Sequence, residues 1–465
     1  MKTIKLAMAG ALAMGCIQVA SAFTEIRLTG STAFRSATIN SIQAILNPDY
    51  VWGGNPSATG GANQQVFVGT TKVGGIQVVI KTAWAGSAGG VFAVATPAPA
   101  VQPFIIDPTG VSFSPAAGTV GGIALTHAGV AIPNSDTTES HLADVALSDA
   151  FAASTPFHGV TLKDTIVGVV PFEWVKGAYT PDGTVASAVA GGYPGVTNIN
   201  TDQAQELIGG GLALNQLTGV AADNAIVAQM VGRDHDSGTR IGYIYDSQVL
   251  GCIFGAPTDG FTDPILQYLP QGNGVTGTNA TVGATQFDPQ SAGTGVISGL
   301  VPWPVESVVG ESRPLGSEGF FSGGNVKNTL NRPVDTSAGN YIISALGMGD
   351  ANGVNPDPTG VTYVDGAGVT NTIHPSLNAL TFNGNFPGTA AHPFAPPYVN
   401  IEQGKYNFWG YEHYLYATSL AGSVKTVADQ ISGQLTTEAD FGGVGELLSH
   451  MNASRATDGA PITSP

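Results

Sequence analysis

From Thr24 onward, short apolar runs alternate with segments whose apolar residues recur at helical spacing. Thr24 to Leu28 predicts a strand, and Ser31 onward a helix in which Phe34, Ile42, Ile45 and Leu46 share a face. Ile76 to Lys81 predicts a second strand and Ala143 to Leu147 a third, while Thr165 to Lys176 predicts a long apolar strand interrupted by Pro171. Thr201 to Ile208 carries a helix signature, with Asn200 as cap and Gln203 three residues later. Ala225 to Val231 predicts another apolar strand, which runs into Arg233-Asp234-His235-Asp236-Ser237-Gly238-Thr239 and a second strand-to-helix junction. Strands alternating with helices predict parallel α/β sheets, whose ligands sit beyond the carboxyl ends of the strands.

Two stretches break this rhythm. Val91 to Ser140 is rich in Ala, Gly, Val and Pro, and Gly255 to Gly324 in Gly, Pro and Thr; both read as β-rich or loop insertions. No fixed-period repeat is present, and the small, polar tail from Thr457 to Pro465 is expected to be disordered. The chain has 465 residues, beyond the roughly 250–300 at which one core stops growing, so two or more lobes are expected. With 43% hydrophobic and only 11% charged residues it can bury a sizeable core, and its 64 glycines and 29 prolines put much of the length into loops. The formal charge of −17 excludes nucleic acid and anionic membrane surfaces as partners. A small anion stays open, because helix N-termini and local donors act at contact range.

The N-terminus reads as a secretory signal over residues 1–22. Lys2 and Lys5 precede an apolar run from Leu6 to Val19 and the small-residue cleavage site Ala20-Ser21-Ala22, so the mature protein is expected to begin at Phe23 in a periplasmic or extracellular setting. Cys16 after Gly15 offers lipidation as the alternative, although Ala13 stands where such signals usually carry Leu. Cys252 is then the one mature cysteine, which leaves no internal disulfide and predicts a small buried hydrophobe.

Candidate chemistry gathers at the predicted strand ends. Gly30-Ser31-Thr32-Ala33 offers first-turn N–H groups with hydroxyls beside them, an anion seat or a plain helix cap. Trp84-Ala85-Gly86-Ser87-Ala88-Gly89-Gly90 reads as a loop whose backbone can approach a ligand closely and whose Ser87 hydroxyl can donate. Ser148-Asp149-Ala150 puts a carboxylate at a strand end. Arg233 supplies a planar charged donor, and Ser237-Gly238-Thr239 supply hydroxyls and N–H groups at a helix start; together they can wrap a tetrahedral anion.

These four blocks, in this order, resemble the phosphate-binding proteins of bacterial ABC importers, whose pattern runs Gly-x-Thr, Gly-Ser-x-Gly-Gly, Ser-Asp and Arg-x-x-x-Ser-Gly-Thr. The resemblance implies one phosphate site lined by Ser31, Thr32, the Ala33 N–H, Ser87, Asp149, Arg233, Ser237, Gly238 and Thr239. It also implies the fold, an α/β two-lobed periplasmic binding protein of type II with Gly/Pro-rich insertions. The first lobe would span 23–170 with insertion 91–140, the second 171–405 with insertion 255–324, and 406–465 the hinge return, with Tyr406 to Tyr416 as the returning strand. Such a protein is a monomeric non-enzyme without cofactor or metal that hands phosphate to an ABC permease.

Two departures from the pattern stand out. Ala33 occupies the family's Phe position, with the Phe displaced to Phe34, and His235 replaces the acid expected two residues after the arginine. Asp234 or Asp236 then pairs with Arg233, or the arginine is oriented differently. Phosphate near neutral pH keeps a proton that Asp149 can accept in a hydrogen bond, whereas sulfate would face it as a bare anion. Two other readings remain: a hydrolase using Ser237 beside His235 and Asp236, although no Gly-x-Ser-x-Gly elbow is present, and a structural or surface protein that retains the fold. His413, next to Glu412 among Trp409, Tyr411 and Tyr414, reads as a packed or hydrogen-bonded histidine rather than a metal ligand.

Overall fold

A computed structural model describes residues 23–55, 61–95, 102–105, 117–120, 123–132, 138–157, 161–249, 265–272, 295–308, 311–365, 368–438, 443 and 445–463. The expected signal, Cys16 and Cys252 lie outside the described residues.

The first lobe is built on three parallel strands. Thr24–Gly30 lies between Gln77–Ala83 and Val145–Ser148, with Thr29 opposite both Ala83 and Ala146. Most of their side chains are buried, with Thr24, Glu25, Arg27 and Gln77 half-buried towards the strand starts. Because the strands are parallel and in register, their carboxyl ends, and hence segments 31–34, 84–86 and 149–151, lie along one edge. Gln64–Thr70 and Val51–Asn55 extend the sheet antiparallel, and Ala117–Val120 and Ile123–Thr126 continue it. On one face helix Arg35–Ile45 packs beside Gly422–Glu438, with Ile42, Ile45, Val427 and Ile431 in a common core. The expected helix begins four residues after Ser31, because Thr32 to Phe34 form a bend first.

In the second lobe Val227–Met230 runs parallel to Asn340–Gly347, flanked by Leu212–Ala213 on one side and by the end of Leu162–Lys176 on the other. Helix Thr201–Ile208 carries the anticipated capping box: Asn200 accepts from the Gln203 N–H and the Gln203 side chain accepts from the Asn200 N–H.

Two long strands join the lobes. Leu162–Lys176 pairs antiparallel with Trp409–Ala417 up to the Pro171–Trp409 position and pairs with Asn340–Gly347 from Phe172 onward. Pro171 therefore interrupts nothing: the strand changes partner there, so the missing N–H falls between two ladders. Trp409–Ala417 continues onto Val145–Ser148, making one sheet through both lobes. Phe172, Trp174, Phe382 and Phe408 pack at the crossing, with ring centroids 5.3 Å apart for Phe172–Phe408 and 5.7 Å for Trp174–Phe408.

Three expectations are corrected. The glycine-rich segment at 84–90 is a loop only to Gly86; helix Ser87–Ala95 follows and takes in the start of the first expected insertion. The described part of the second expected insertion is integral, since Ile297, Trp303 and Phe320 share a core with Ile342 and Leu346 of the sheet. The tail is ordered through Thr463: Ser454 and Thr463 exchange backbone hydrogen bonds, Asp458 is buried, and Arg455 pairs with Asp246 at 2.8 Å while stacking over Trp409. Small polar residues concealed this, because the partners of Arg455 and Asp458 are supplied from distant segments. Asp246 is fully buried, and burial pushes its carboxyl up to about 7 even beside Arg455. Arg455→Ala should therefore cost about 3 kcal/mol or more by urea denaturation, because it strands a buried carboxylate. Asn200→Ala, which removes one exposed cap, should cost about 1 kcal/mol; similar losses for the two would refute the anchoring role of the tail.

Candidate functional site

The carboxyl ends of the parallel strands of both lobes face each other. Gly30 ends its strand at φ +116°, and a Cβ there would lie 2.0 Å from the Leu147 carbonyl oxygen, so only glycine lets the chain turn this close to its neighbour. The Ser31 N–H donates to that carbonyl at 2.8 Å and is spent on the turn. The N–H groups of Thr32 and Ala33, which follow, meet no acceptor among the described residues. The same holds for Gly238 and Thr239 in the first turn of helix Gly238–Asp246. The bend ahead of helix Arg35–Ile45 and the first turn of helix Gly238–Asp246 thus present free donors, an arrangement that can receive an anion.

Asp149 lies where the lobes meet. Its Oδ1 is hydrogen-bonded closely by the Ser87 hydroxyl, and the Asp149 N–H donates to Ser87 Oγ at 3.2 Å. Across the cleft the carboxylate rests against Gly238, where an added Cβ would stand only 1.6 Å from Oδ1 and 2.6 Å from Ser87 Oγ. Burial pushes the Asp149 carboxyl up to about 6, opposed by the Ser87 hydrogen bond and the charge of Arg233. A second buried carboxylate, Glu412, sits on the crossing strand; burial raises it well above the usual range, the charge of Asp149 adds to this, and the Ser31 hydroxyl beside it works the other way.

Arg233 is buried, and its guanidinium donates through Nε to Phe320 O at 3.2 Å and through Nη2 to Phe321 O at 2.8 Å. Its own carbonyl accepts from Gln267 Nε2 at 2.8 Å. Carbonyls from the second expected insertion, rather than an acid two residues away, therefore orient the arginine. Asp236 instead lies 3.3 Å from His235 Nε2, and Glu318 lies 3.2 Å from His235 Nδ1. Burial, with Asp236 and Glu318 nearby, pushes the Asp234 carboxyl up to about 8. The Ser237 hydroxyl caps its helix by accepting from the Arg240 N–H at 3.3 Å. Thr239 is buried in the first turn of that helix, and Thr32 is half-buried.

The lobes are in contact on this line. The Ala88 N–H donates to Asp236 O at 2.9 Å, Gly86 packs against the same carbonyl, and a Cβ at Gly347 would stand 3.3 Å from that of Ala33. Sequence reasoning missed Arg35, the first residue of helix Arg35–Ile45, which donates to Ala62 O at 3.4 Å. Burial pulls its guanidinium below the usual arginine range, with Arg233 repelling it and Asp350 of the second lobe attracting it. A cation in the first turn of a helix stands against the helix dipole, and that unfavourable placement was the available signal. His413 is buried and hydrogen-bonded through Nδ1 to Asp164 at 2.9 Å, as anticipated.

Comparison with known proteins adds structural likeness only. No protein-family model matches the chain, and no curated protein matches it. Among solved structures it is similar to a Clostridium perfringens protein assigned as a phosphate ABC transporter substrate-binding protein and solved with bound phosphate, at 11% identity, over 91% of this chain and 100% of that one, with a TM-score of 0.41. It is also similar to an ABC-type phosphate transport receptor from Vibrio cholerae, at 11% identity over 88% and 93% of the two chains, TM-score 0.36. PstS from Borrelia burgdorferi gives 12% identity over 89% and 92%, TM-score 0.31. Superpositions this loose assign no residue of the site.

Asp149 titrates higher in the folded chain than in the unfolded one, at about 6 against an ordinary 3.8. Its ionisation therefore opposes folding in full above pH 6, and the penalty shrinks as pH falls from there and vanishes below the unfolded value of 3.8, where the group is protonated in both states. Asp149→Asn should stabilise the ligand-free protein at pH 7.5 by on the order of 2 kcal/mol, the gap narrowing towards pH 4. Thermal melts across that range check this, and a gap that widens on acidification would refute it.

Proposed function

We propose that this chain captures inorganic phosphate, or a closely related protonated oxyanion, between its two lobes. The observation that carries the reading is a carboxylate, Asp149, packed against the first turn of helix Gly238–Asp246 where the lobes meet, and within the field of Arg233. Free N–H groups of Thr32, Ala33, Gly238 and Thr239 suit the ligand's unprotonated oxygens, together with hydroxyls of Thr32 and Thr239 and the guanidinium of Arg233. The Ser87 hydroxyl, which in the ligand-free chain gives its proton to Asp149, joins the site by turning to the ligand when Asp149 takes the ligand's own proton in a hydrogen bond. Arg35 adds a second positive charge. Two repelling guanidinium groups, each short of water, are relieved by an anion between them. Ser31 and Ser237 act indirectly, as the turn donor and the helix cap.

Asp149 sets the choice of anion. Phosphate with a proton can donate to it, whereas sulfate has none and would leave two anions in contact, a defect worth about 10⁴-fold in sites built for a ligand hydroxyl. The wider reading follows the sequence: export with Phe23 as first mature residue, lobes at 23–170, 171–405 and 406–465, action as a monomeric periplasmic binding protein, and delivery to an ABC permease. Among the described residues no helix is long and apolar enough to cross a membrane.

The hydrolase alternative loses support from geometry. The Ser237 hydroxyl is a helix cap, and His235 is held between Asp236 and Glu318. Titration calorimetry of the purified protein should give phosphate binding at least 100-fold tighter than sulfate, with arsenate following phosphate. Asp149→Asn should narrow that ratio. Equal affinities in the wild type would overturn the proposal, and a protein whose Tm ignores millimolar phosphate would favour the structural reading instead.

A further inference from the structure

Away from the cleft, behind the crossing strands, Glu402, Glu446 and His450 bring one potential ligand atom each to within 4.8 Å of one another. They come from two pieces of chain: the end of the short helix Val399–Glu402, and the C-terminal segment, where Glu446 bridges Val169 of the crossing strand and His450 follows four residues later in the 3-10 turn Leu448–His450. Each piece is fixed by backbone bonds. The Glu446 N–H and C=O exchange hydrogen bonds with Val169 at 2.9 and 3.0 Å, and the Asn452 N–H donates to Glu402 O at 2.8 Å. The Glu446 side chain is only 4% exposed, yet its Oε1 alone is hydrogen-bonded, by the Leu447 N–H at 2.8 Å and by His450 Nδ1 at 2.6 Å. Glu446 Oε2 and the whole Glu402 carboxylate have no hydrogen-bond partner among the described residues. Two carboxylates thus converge, one buried, with a single imidazole between them and solvent.

We propose that Glu402, Glu446 and His450 bind a divalent transition-metal ion of the Zn²⁺ class, stapling the C-terminal segment to the short helix and to the crossing strand. Carboxylate oxygen with imidazole nitrogen suits borderline ions over Ca²⁺, which favours an all-oxygen shell. The Leu447 N–H and His450 answer only Oε1 of Glu446, so a divalent cation would serve the remaining oxygens of two converging carboxylates. His450, partly exposed on its turn, exchanges its contact with Glu446 for the ion with little rearrangement. The ion's role is separate from anion capture.

Chelator-stripped full-length protein titrated with ZnCl₂ in a calorimeter should take up one equivalent, with a rise in Tm. His450→Ala and Glu402→Gln, both at sites open enough to keep the fold, should each weaken that binding at least tenfold while leaving the phosphate response unchanged. No saturable Zn²⁺ binding would overturn the site, as would unchanged affinity in both variants. Ca²⁺ binding as tight as Zn²⁺ and indifferent to His450→Ala would overturn the imidazole's part in it.

Discussion

The antiparallel pairing of Leu162–Lys176 with Trp409–Ala417 is the constraint on which the rest depends. A single pair of strands serves both lobes, so the loops that follow the parallel strands Thr24–Gly30, Gln77–Ala83, Val145–Ser148 and Val227–Met230 are brought to the same cleft. The partner change at Pro171 and Phe172 is what lets one strand belong to both sheets. Aromatic rings of Phe172, Trp174 and Phe408 fill the crossing, and Arg455 seals its far side by stacking on Trp409 and pairing with Asp246.

Within that frame the cleft is organised by proximity without side-chain bulk. Gly30, Gly86 and Gly238 stand where a Cβ would strike a carbonyl or the Asp149 carboxylate, so backbone N–H groups and charged atoms come close with nothing between. The electrostatics are finely opposed. Asp149, Glu412 and Asp234 are buried carboxyls pushed up by desolvation, while Arg233 and Arg35 bring like charges together a short way off. At contact range and an effective dielectric constant near 20, such unit charges interact by about 4 kcal/mol, so a small anion of the right protonation state changes the balance far more than the net charge of −17 does.

The chain's departures from the binding-protein pattern are absorbed by segments that looked peripheral. His235 stands where an acid was expected, and the arginine it would have held is oriented by the Phe320 and Phe321 carbonyls and backed by Gln267. Glu318, from the same segment, answers His235 in turn. What read as insertion in composition is therefore partly the wall of the site.

Local signals were legible in the sequence because their causes are local. The capping box at Asn200 and Gln203, the helix start at Ser237, the three parallel strands of the first lobe and the position of Asp149 at a strand end all follow from periodicity and neighbouring residues. Tertiary structure alone decided how far those signals reach. Arg35 comes near Arg233 only because the lobes meet, the Asp149 carboxyl rises to about 6 only because the contact with Gly238 helps to bury it, against the opposing Ser87 hydrogen bond and Arg233 charge, and the tail from Arg455 to Thr463 is anchored only because Asp246 and Phe151 await it. Each depends on desolvation and on partners far along the chain, from 62 residues for Ser87 and Asp149 to 307 for Phe151 and Asp458, and neither quantity is encoded in any window of sequence.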